Sequence, residues 1–328
     1  MRRAFRSLCC GLLAGLAIVY GNARAADNAY PGNKPITIVV PFAAGGPTDT
    51  SARLLADALS REMGNPFVVE NVPGAGSVVG TTRVANASPD GYTLLWGTAS
   101  SLAIAPKLNK NIRYDPVASF APISQVTAAP FVLVVAPKLE VGTLGDFVKL
   151  AKAQPGKLNF GSTGTGGSGH MVAELFNTSA DIDTVHVPYN GGAPMMHALL
   201  AGDVDYIFDT PTTIVPMVQD KRVVALGVTS KEPWEALPGV EPLDRQGYAG
   251  FDATTWFGVL APRGTPPERV ALLNKHIVAV LDKPGLRQAL QKAGFFVESS
   301  SPEAFAEKIV SEGEKWAQTI DAANISIE

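Results

Sequence analysis

Two glycine-rich turns hold the residues that could do chemistry in this chain. The first is Pro41-Phe42-Ala43-Ala44-Gly45-Gly46-Pro47-Thr48-Asp49, and the second is Gly161-Ser162-Thr163-Gly164-Thr165-Gly166-Gly167-Ser168-Gly169-His170. Each follows an apolar, strand-like run and precedes a helix-like stretch. Such a turn collects unpaired backbone N–H groups, small hydroxyls and the positive end of a helix dipole. It is an anion site without formal charge, and neither turn contains Lys or Arg. Gly45 and Gly46 open backbone conformations closed to other residues. Two such turns on separate sheets imply a small anion held in a cleft between two lobes. Asp49 and Thr48 are candidate caps for the helix that follows, and a direct ligand role for Asp49 would suit a cationic group such as an amine.

Other chemistries fit less well. Gly164-Thr165-Gly166-Gly167-Ser168-Gly169 satisfies the spacing G-x-G-x-x-G. A dinucleotide site also needs an acid at the end of the next strand to hold the ribose; that strand ends in Tyr189-Asn190-Gly191, and Asp181 and Asp183 precede it. The same turn mimics a phosphate-binding loop, but Gly167 stands where the lysine belongs. No pair among His170, His186, His197 and His276 has the spacing of a helical zinc site, and no G-x-S-x-G elbow exists. We therefore expect no metal and no cofactor. His170 could donate to an anion. Among Asp203, Asp205 and Asp209, the first two are expected in solvent and Asp209 at a strand end facing the cleft.

The elements that must position these turns alternate. Ile36-Thr37-Ile38-Val39-Val40 reads as a buried strand, 50–63 as an amphipathic helix, 67–70 as a strand, 77–87 as a helix and 92–96 as a strand. That order predicts a mostly parallel sheet. A second set follows, with strands at 131–135, 158–160, 185–189, 204–208 and 223–228 and helices at 143–154, 171–179 and 194–201. After a strand at 254–260, helices at 268–281 and 303–323 are expected to pack back on the first lobe. The chain would cross between lobes near Val126 and near Phe251, as a hinged cleft requires.

The N-terminus has the pattern of a secretory signal: Arg2, Arg3 and Arg6, an apolar stretch at 8–20, and Ala23-Arg24-Ala25 before a first mature residue at Ala26. Both cysteines, Cys9 and Cys10, fall within it, so a mature chain has neither disulfides nor thiolate chemistry. Loss of Arg2, Arg3, Arg6 and Arg24 takes the formal net charge from −3 to −7. An acidic chain without a basic run argues against nucleic acid as partner. Secretion and this composition fit the periplasm, and the expected state is a monomer.

These stretches, with Val72-Pro73-Gly74-Ala75-Gly76, Pro89-Asp90-Gly91-Tyr92, Val187-Pro188-Tyr189-Asn190-Gly191-Gly192 and Phe208-Asp209-Thr210 in order, resemble the periplasmic solute receptors of tripartite tricarboxylate transporters, the Bug receptors. The resemblance implies an α/β type II periplasmic binding protein fold, with two lobes, a ligand cleft and two inter-lobe crossings. Residues 26–128 and 250–328 would form one lobe and 129–249 the other, after a signal at 1–25. It implies a small organic carboxylate pinned between the glycine turns, and membrane permease subunits as partners. By matching position, Phe42, Ala44 and Gly45 with Thr48 and Asp49 fall in the first turn, and Ser162, Thr163, Thr165 and Gly166 in the second. Tyr189, Asn190 and Asp209 fall at strand ends facing the cleft. In the segment 97–101, where relatives often carry Asn, this chain offers Thr98, Ser100 and Ser101. A ligand sensor for a signalling system is the alternative function, and a hydrolase using Ser168 or Asp209 is a more distant one.

Overall fold

The computed structural model describes residues 30–323 and 325; the expected signal, 1–25, lies outside the described residues. β1 (Ile36–Val40), α1 (Pro47–Met63), β2 (Phe67–Asn71), α2 (Val78–Ala85) and β3 (Thr93–Thr98) follow in the expected order. β1 pairs in parallel with both β2 and β3. A short α3 (Ala105–Leu108) then leads to the eleven-residue β4 (Phe120–Pro130). The second set comprises β5 (Val132–Val135), α4 (Leu144–Ala153), β6 (Asn159–Ser162), α5 (Ser168–Ala180), β7 (Val185–Pro188), α6 (Gly192–Ala201), β8 (Tyr206–Asp209), α7 (Pro211–Gln219) and β9 (Val224–Val228). β10 (Thr254–Pro262), α8 (Pro267–Leu281), α9 (Pro284–Lys292), β11 (Phe296–Val297) and α10 (Pro302–Ala322) complete the chain.

There are two sheets among the described residues. One has the order β11-β4-β10-β3-β1-β2 and the other β7-β6-β8-β5-β9. The first is not mostly parallel, contrary to expectation. β10 inserts between β3 and β4 and runs antiparallel to both. The sequence hides β4 because Ser124, Gln125 and Thr127 interrupt its apolar run, yet all three are buried. Ser124 and Gln125 are satisfied largely by a distant segment: Gln125 N donates to Ser300 Oγ at 2.9 Å and Gln125 Nε2 to Glu298, while Ser124 Oγ donates to the Gln125 carbonyl.

Strand alternation sorts the core. Ile36, Ile38 and Val40 face one side of the first sheet with Leu55 and Leu59 of α1 and Leu273 and Ile277 of α8. Val39 faces the other, in a cluster with Phe305 and Trp316 of α10. That cluster continues without a break into Phe160, Phe176 and Tyr206 on the second sheet.

β4 runs on to Pro130, so the chain enters the second sheet through Phe131 rather than at Val126, which is paired inside β4. It returns between Val228 and Thr254. Buried Thr229 stitches the two passages together: its Oγ1 accepts the Phe131 N–H at 2.7 Å and donates to the Ala253 carbonyl at 2.5 Å.

Candidate ligand site

Four helices begin at one cavity of about 860 Å³ between the sheets. α1 starts after β1 at Gly46, α5 after β6 at Gly167, α6 after β7 at Gly191 and α7 after β8 at Thr210. All four of these N-cap residues line the cavity, and none provides a side-chain cap. The first four N–H groups of a helix have no intrahelical acceptor and carry the positive end of the macrodipole. The sequence signals are glycine before the helix and proline in its first turn, at Pro47, Pro194 and Pro211. The two glycine turns account for α1 and α5. The starts of α6 and α7 double the set, at Asn190-Gly191-Gly192 and Thr210-Pro211.

In the first turn, Asp49 serves the loop. α1 begins at Pro47 with Gly46 as N-cap, so Asp49 lies inside the first turn and is not the cap. Its Oδ2 accepts the Gly45 N–H at 3.0 Å and the Arg53 Nε–H at 2.9 Å, and its Oδ1 accepts from Asn71 Nδ2 at 2.9 Å. Asn71 Nδ2 also donates to the Phe42 carbonyl. Burial pushes the Asp49 carboxyl up, but the bonds from Arg53, Gly45 and Asn71 outweigh it and hold it below its ordinary value. Asp49 is buried behind the loop and does not line the cavity; Phe42, Ala44, Gly45 and Thr48 do. Gly45 has φ +89°, which favours glycine.

In the second turn, Thr163 and Thr165 line the cavity, while Ser162 and Gly166 sit beneath it. The Gly166 N–H is already spent on His170 Nδ1 at 3.1 Å. That nitrogen is therefore an acceptor, which places the His170 proton on Nε2, 3.5 Å from Glu174 Oε1. His170 supports the turn from below and is not aimed at an anion. Its ring stacks on His186 with centroids 3.8 Å apart, and His186 Nε2 lies 2.7 Å from Ser162 Oγ. Burial, and then the neighbouring His170, push the His186 imidazole down to about 4. Gly169 answers a packing need: a Cβ there would lie 2.9 Å from the Phe208 carbonyl, so only glycine lets α5 approach β8.

Thr98 and Ser100 line the cavity from the first sheet. Ser100 Oγ lies 2.8 Å from Ser168 Oγ and accepts the Ser168 N–H at 3.3 Å, a direct link between the two sheets' loops. Asn190 and Asp209 also line the cavity; Tyr189 packs into the apolar cluster under α6 instead. Asp205, expected in solvent, is buried. It accepts the Asn159 N–H at 2.8 Å and pairs with Lys138 at 2.9 Å. Sequence reasoning missed Phe131, Phe257, Met196 and Met217, which form apolar wall, and His197 and Arg222. Arg222 is the one Lys or Arg that lines the cavity among the described residues. The last two carry no local sequence signal.

This geometry defines a two-sheet α/β binding protein whose cavity favours an anion. The tripartite tricarboxylate transporter family receptor model matches residues 51–325, and the chain belongs to that family. It is 34% identical over 292 residues to protein BugT of Bordetella pertussis, covering 89% of this chain and 89% of that protein. Among solved structures, a Rhodopseudomonas palustris protein with adipate is 32% identical, with a TM-score of 0.85 over 90% of this chain and 99% of that one. MatC of Rhodopseudomonas palustris with bound malate is also 32% identical, with a TM-score of 0.79 over 87% of this chain and 98% of that one. The family is one of transporter receptors, and a further solved relative, the periplasmic binding protein BugD, is 34% identical with a TM-score of 0.81 over 90% of this chain and 99% of that one.

Proposed function

We propose that this chain is a periplasmic receptor that binds a small organic carboxylate between its two lobes and delivers it to the membrane subunits of a tripartite tricarboxylate transporter. The observation that carries this is the convergence of four uncapped helix N-termini on one cavity. Backbone N–H groups and aligned dipoles favour an anion there. The bound adipate and malate of the two R. palustris proteins are of the chemical class these donors suit. Residues 26–128 with 250–328 form one lobe and 129–249 the other, and residues 1–25 direct export as a signal peptide. The receptor works as a monomer. Phe42, Ala44, Gly45, Thr48, Thr98, Ser100, Thr163, Thr165, Asn190 and Asp209 face the ligand, while Asp49, Ser162, Gly166 and Tyr189 shape the loops that hold it.

Native mass spectrometry of the protein as purified tests this first, followed by a thermal-shift screen of organic acids on protein stripped of ligand. A ligand that binds only the folded state adds about 2.7 kcal/mol of stability at 100 times its dissociation constant. A clear rise in melting temperature with at least one carboxylate is expected. A broad panel that produces no shift refutes the reading.

A further inference from the structure

The cavity that gathers four positive helix ends also contains one carboxylate. Asp209 closes β8 and is 8% exposed. Its Oδ1 accepts the Thr210 N–H at 2.7 Å. Its Oδ2 is buried and makes no hydrogen bond of good geometry among the described residues, and the same holds for the neighbouring Thr210 Oγ1; the Thr210 and Thr213 hydroxyls stand beside the carboxyl and favour its charge without closing onto Oδ2. Both residues line the cavity. The direction of Oδ2 follows from Gly192 at the start of α6, where an added Cβ would come to 3.9 Å from it. Oδ2 thus faces the mouth of a helix N-terminus across an open glycine. No other acidic residue lines the cavity among those described.

An ionised carboxylate can only accept hydrogen bonds, and a buried acceptor without a donor carries the full cost of its lost hydration. The protein leaves this acceptor unmet, at the place where a ligand sits. We propose that Asp209 sets the ligand class: its Oδ2 accepts from a hydroxyl or ammonium group that the bound carboxylate itself carries. This rests on the carboxylate reading above and narrows it to hydroxy- and amino-carboxylates over plain acids. The two halves of the site complement the two halves of such a ligand. Helix N-termini meet the carboxylate, and Asp209 offers the one acidic contact in a wall that otherwise disfavours a cation. A plain acid leaves Oδ2 unmet, and a second ligand carboxylate placed there meets like charge. Asp49 is no rival for the role, since both its oxygens are taken by Gly45, Arg53 and Asn71.

The test uses the ligand-stripped full chain and isothermal titration with three sets of matched compounds: propionate, lactate and alanine; succinate, malate and aspartate; glutarate, 2-hydroxyglutarate and glutamate. Within any set that binds, the hydroxy or amino member is expected to bind about tenfold or more tightly than the plain acid. Asp209→Ala should bring that ratio toward one. Asp209→Asn keeps an acceptor, so it should retain the hydroxyl preference and lose the ammonium preference. If Asp209→Ala does not fold, the Asn variant and the wild-type ratios still decide. The assignment is overturned if the plain acid of a binding set matches its partners, or if the ratio survives Asp209→Ala. It is equally overturned if plain diacids bind best and bind more tightly at pH 5 than at pH 8, which would make Asp209 a protonated donor. Binding of carboxylates without regard to the substituent sinks this inference alone; no binding in any set sinks the carboxylate reading as well.

Discussion

Replacing Asp209 by Asn should make the ligand-free protein more stable, and by an amount that depends on pH. Burial lifts the Asp209 carboxyl from 3.8 to about 6, against smaller opposing help from the Thr210 N–H and from the Thr213 and Thr210 hydroxyls. An acid raised in the folded state binds its proton more tightly folded than unfolded. Its favourable contribution is therefore whole below pH 3.8 and is lost as pH rises through about 6. At 1.36 kcal/mol per pH unit, the folded state gives up about 3 kcal/mol relative to the unfolded state by neutral pH. Asn has nearly the same shape, keeps an acceptor for the Thr210 N–H, and has no charge to bury. Urea titrations of stripped wild type and Asp209→Asn should thus differ by up to about 3 kcal/mol at pH 7.5, with the variant the more stable. The difference should shrink toward zero by pH 4. Equal stability at pH 7.5, or a gain that stays constant with pH, would show that Oδ2 is not the strained buried charge described here.

Three further outcomes follow from other residues. His186 is held down at about 4 from 6.5, so its contribution is present above pH 6.5 and lost as pH falls toward 4, in the direction opposite to Asp209 and reduced by solvent screening at this half-buried ring; His186→Gln should therefore leave stability falling more steeply with rising pH between 4 and 6 than in wild type, and a profile unchanged from wild type would refute the cause assigned. Asp49→Ala removes three hydrogen bonds behind the first loop and leaves the half-exposed Arg53 guanidinium with Asn71 alone, so it should cost about 1–3 kcal/mol in urea unfolding and weaken binding, whereas a neutral result would mean the loop holds itself. Trp234 packs edge-on against Phe296 of the other sheet, with ring centroids 4.6 Å apart, while Trp96 and Trp256 are fully buried and do not line the cavity; ligand should change the emission and shrink the radius of gyration in small-angle scattering, Trp234→Phe should remove most of the emission change while leaving the compaction, and an emission change that survives the substitution places the reporter elsewhere.

The sequence made the order of β1 to β3 and of β5 to β9 legible because each apolar run is short and each turn is marked by Gly, Pro or Asn, while α7, α9 and β11 have no counterpart among the expected elements. It concealed β4 because buried Ser124, Gln125 and Thr127 look like loop residues until their partners at Ser300 are known. It concealed the antiparallel entry of β10, since strand direction within a sheet is decided by long-range pairing. In the site, the glycine turns and Asp209 could be found from residue type and position. The roles of Asp49 and His170 could not. Each looks like a ligand contact from its place beside a turn, and each instead accepts a backbone N–H from four residues earlier in that turn: Gly45 for Asp49, Gly166 for His170. His197 comes to the cavity on α6 and Arg222 on the turn between α7 and β9, and only the tertiary fold brings those two segments to one place.

The way the four helix starts are shared between the sheets bears on how a bound anion would act. α5, α6 and α7 follow β6, β7 and β8 of the five-stranded sheet, whereas α1 alone follows β1 of the six-stranded sheet. Ligands of open α/β sheets bind off the carboxyl ends of strands, and both sheets present those ends to one cavity. An anion seated on three helix starts of one sheet is incompletely surrounded until α1 of the other comes within reach. Only the contact added on approach can bias the equilibrium toward the approached state. Thr229 ties the two passages together, and the sheets also meet at the Ser100–Ser168 bond, at Trp234 against Phe296 and through the shared apolar cluster of α10 and α5. Neutral donors suit this arrangement. A lysine or arginine in either turn would bind the anion strongly from one side alone, whereas N–H groups divided between two sheets reward the state in which both are engaged.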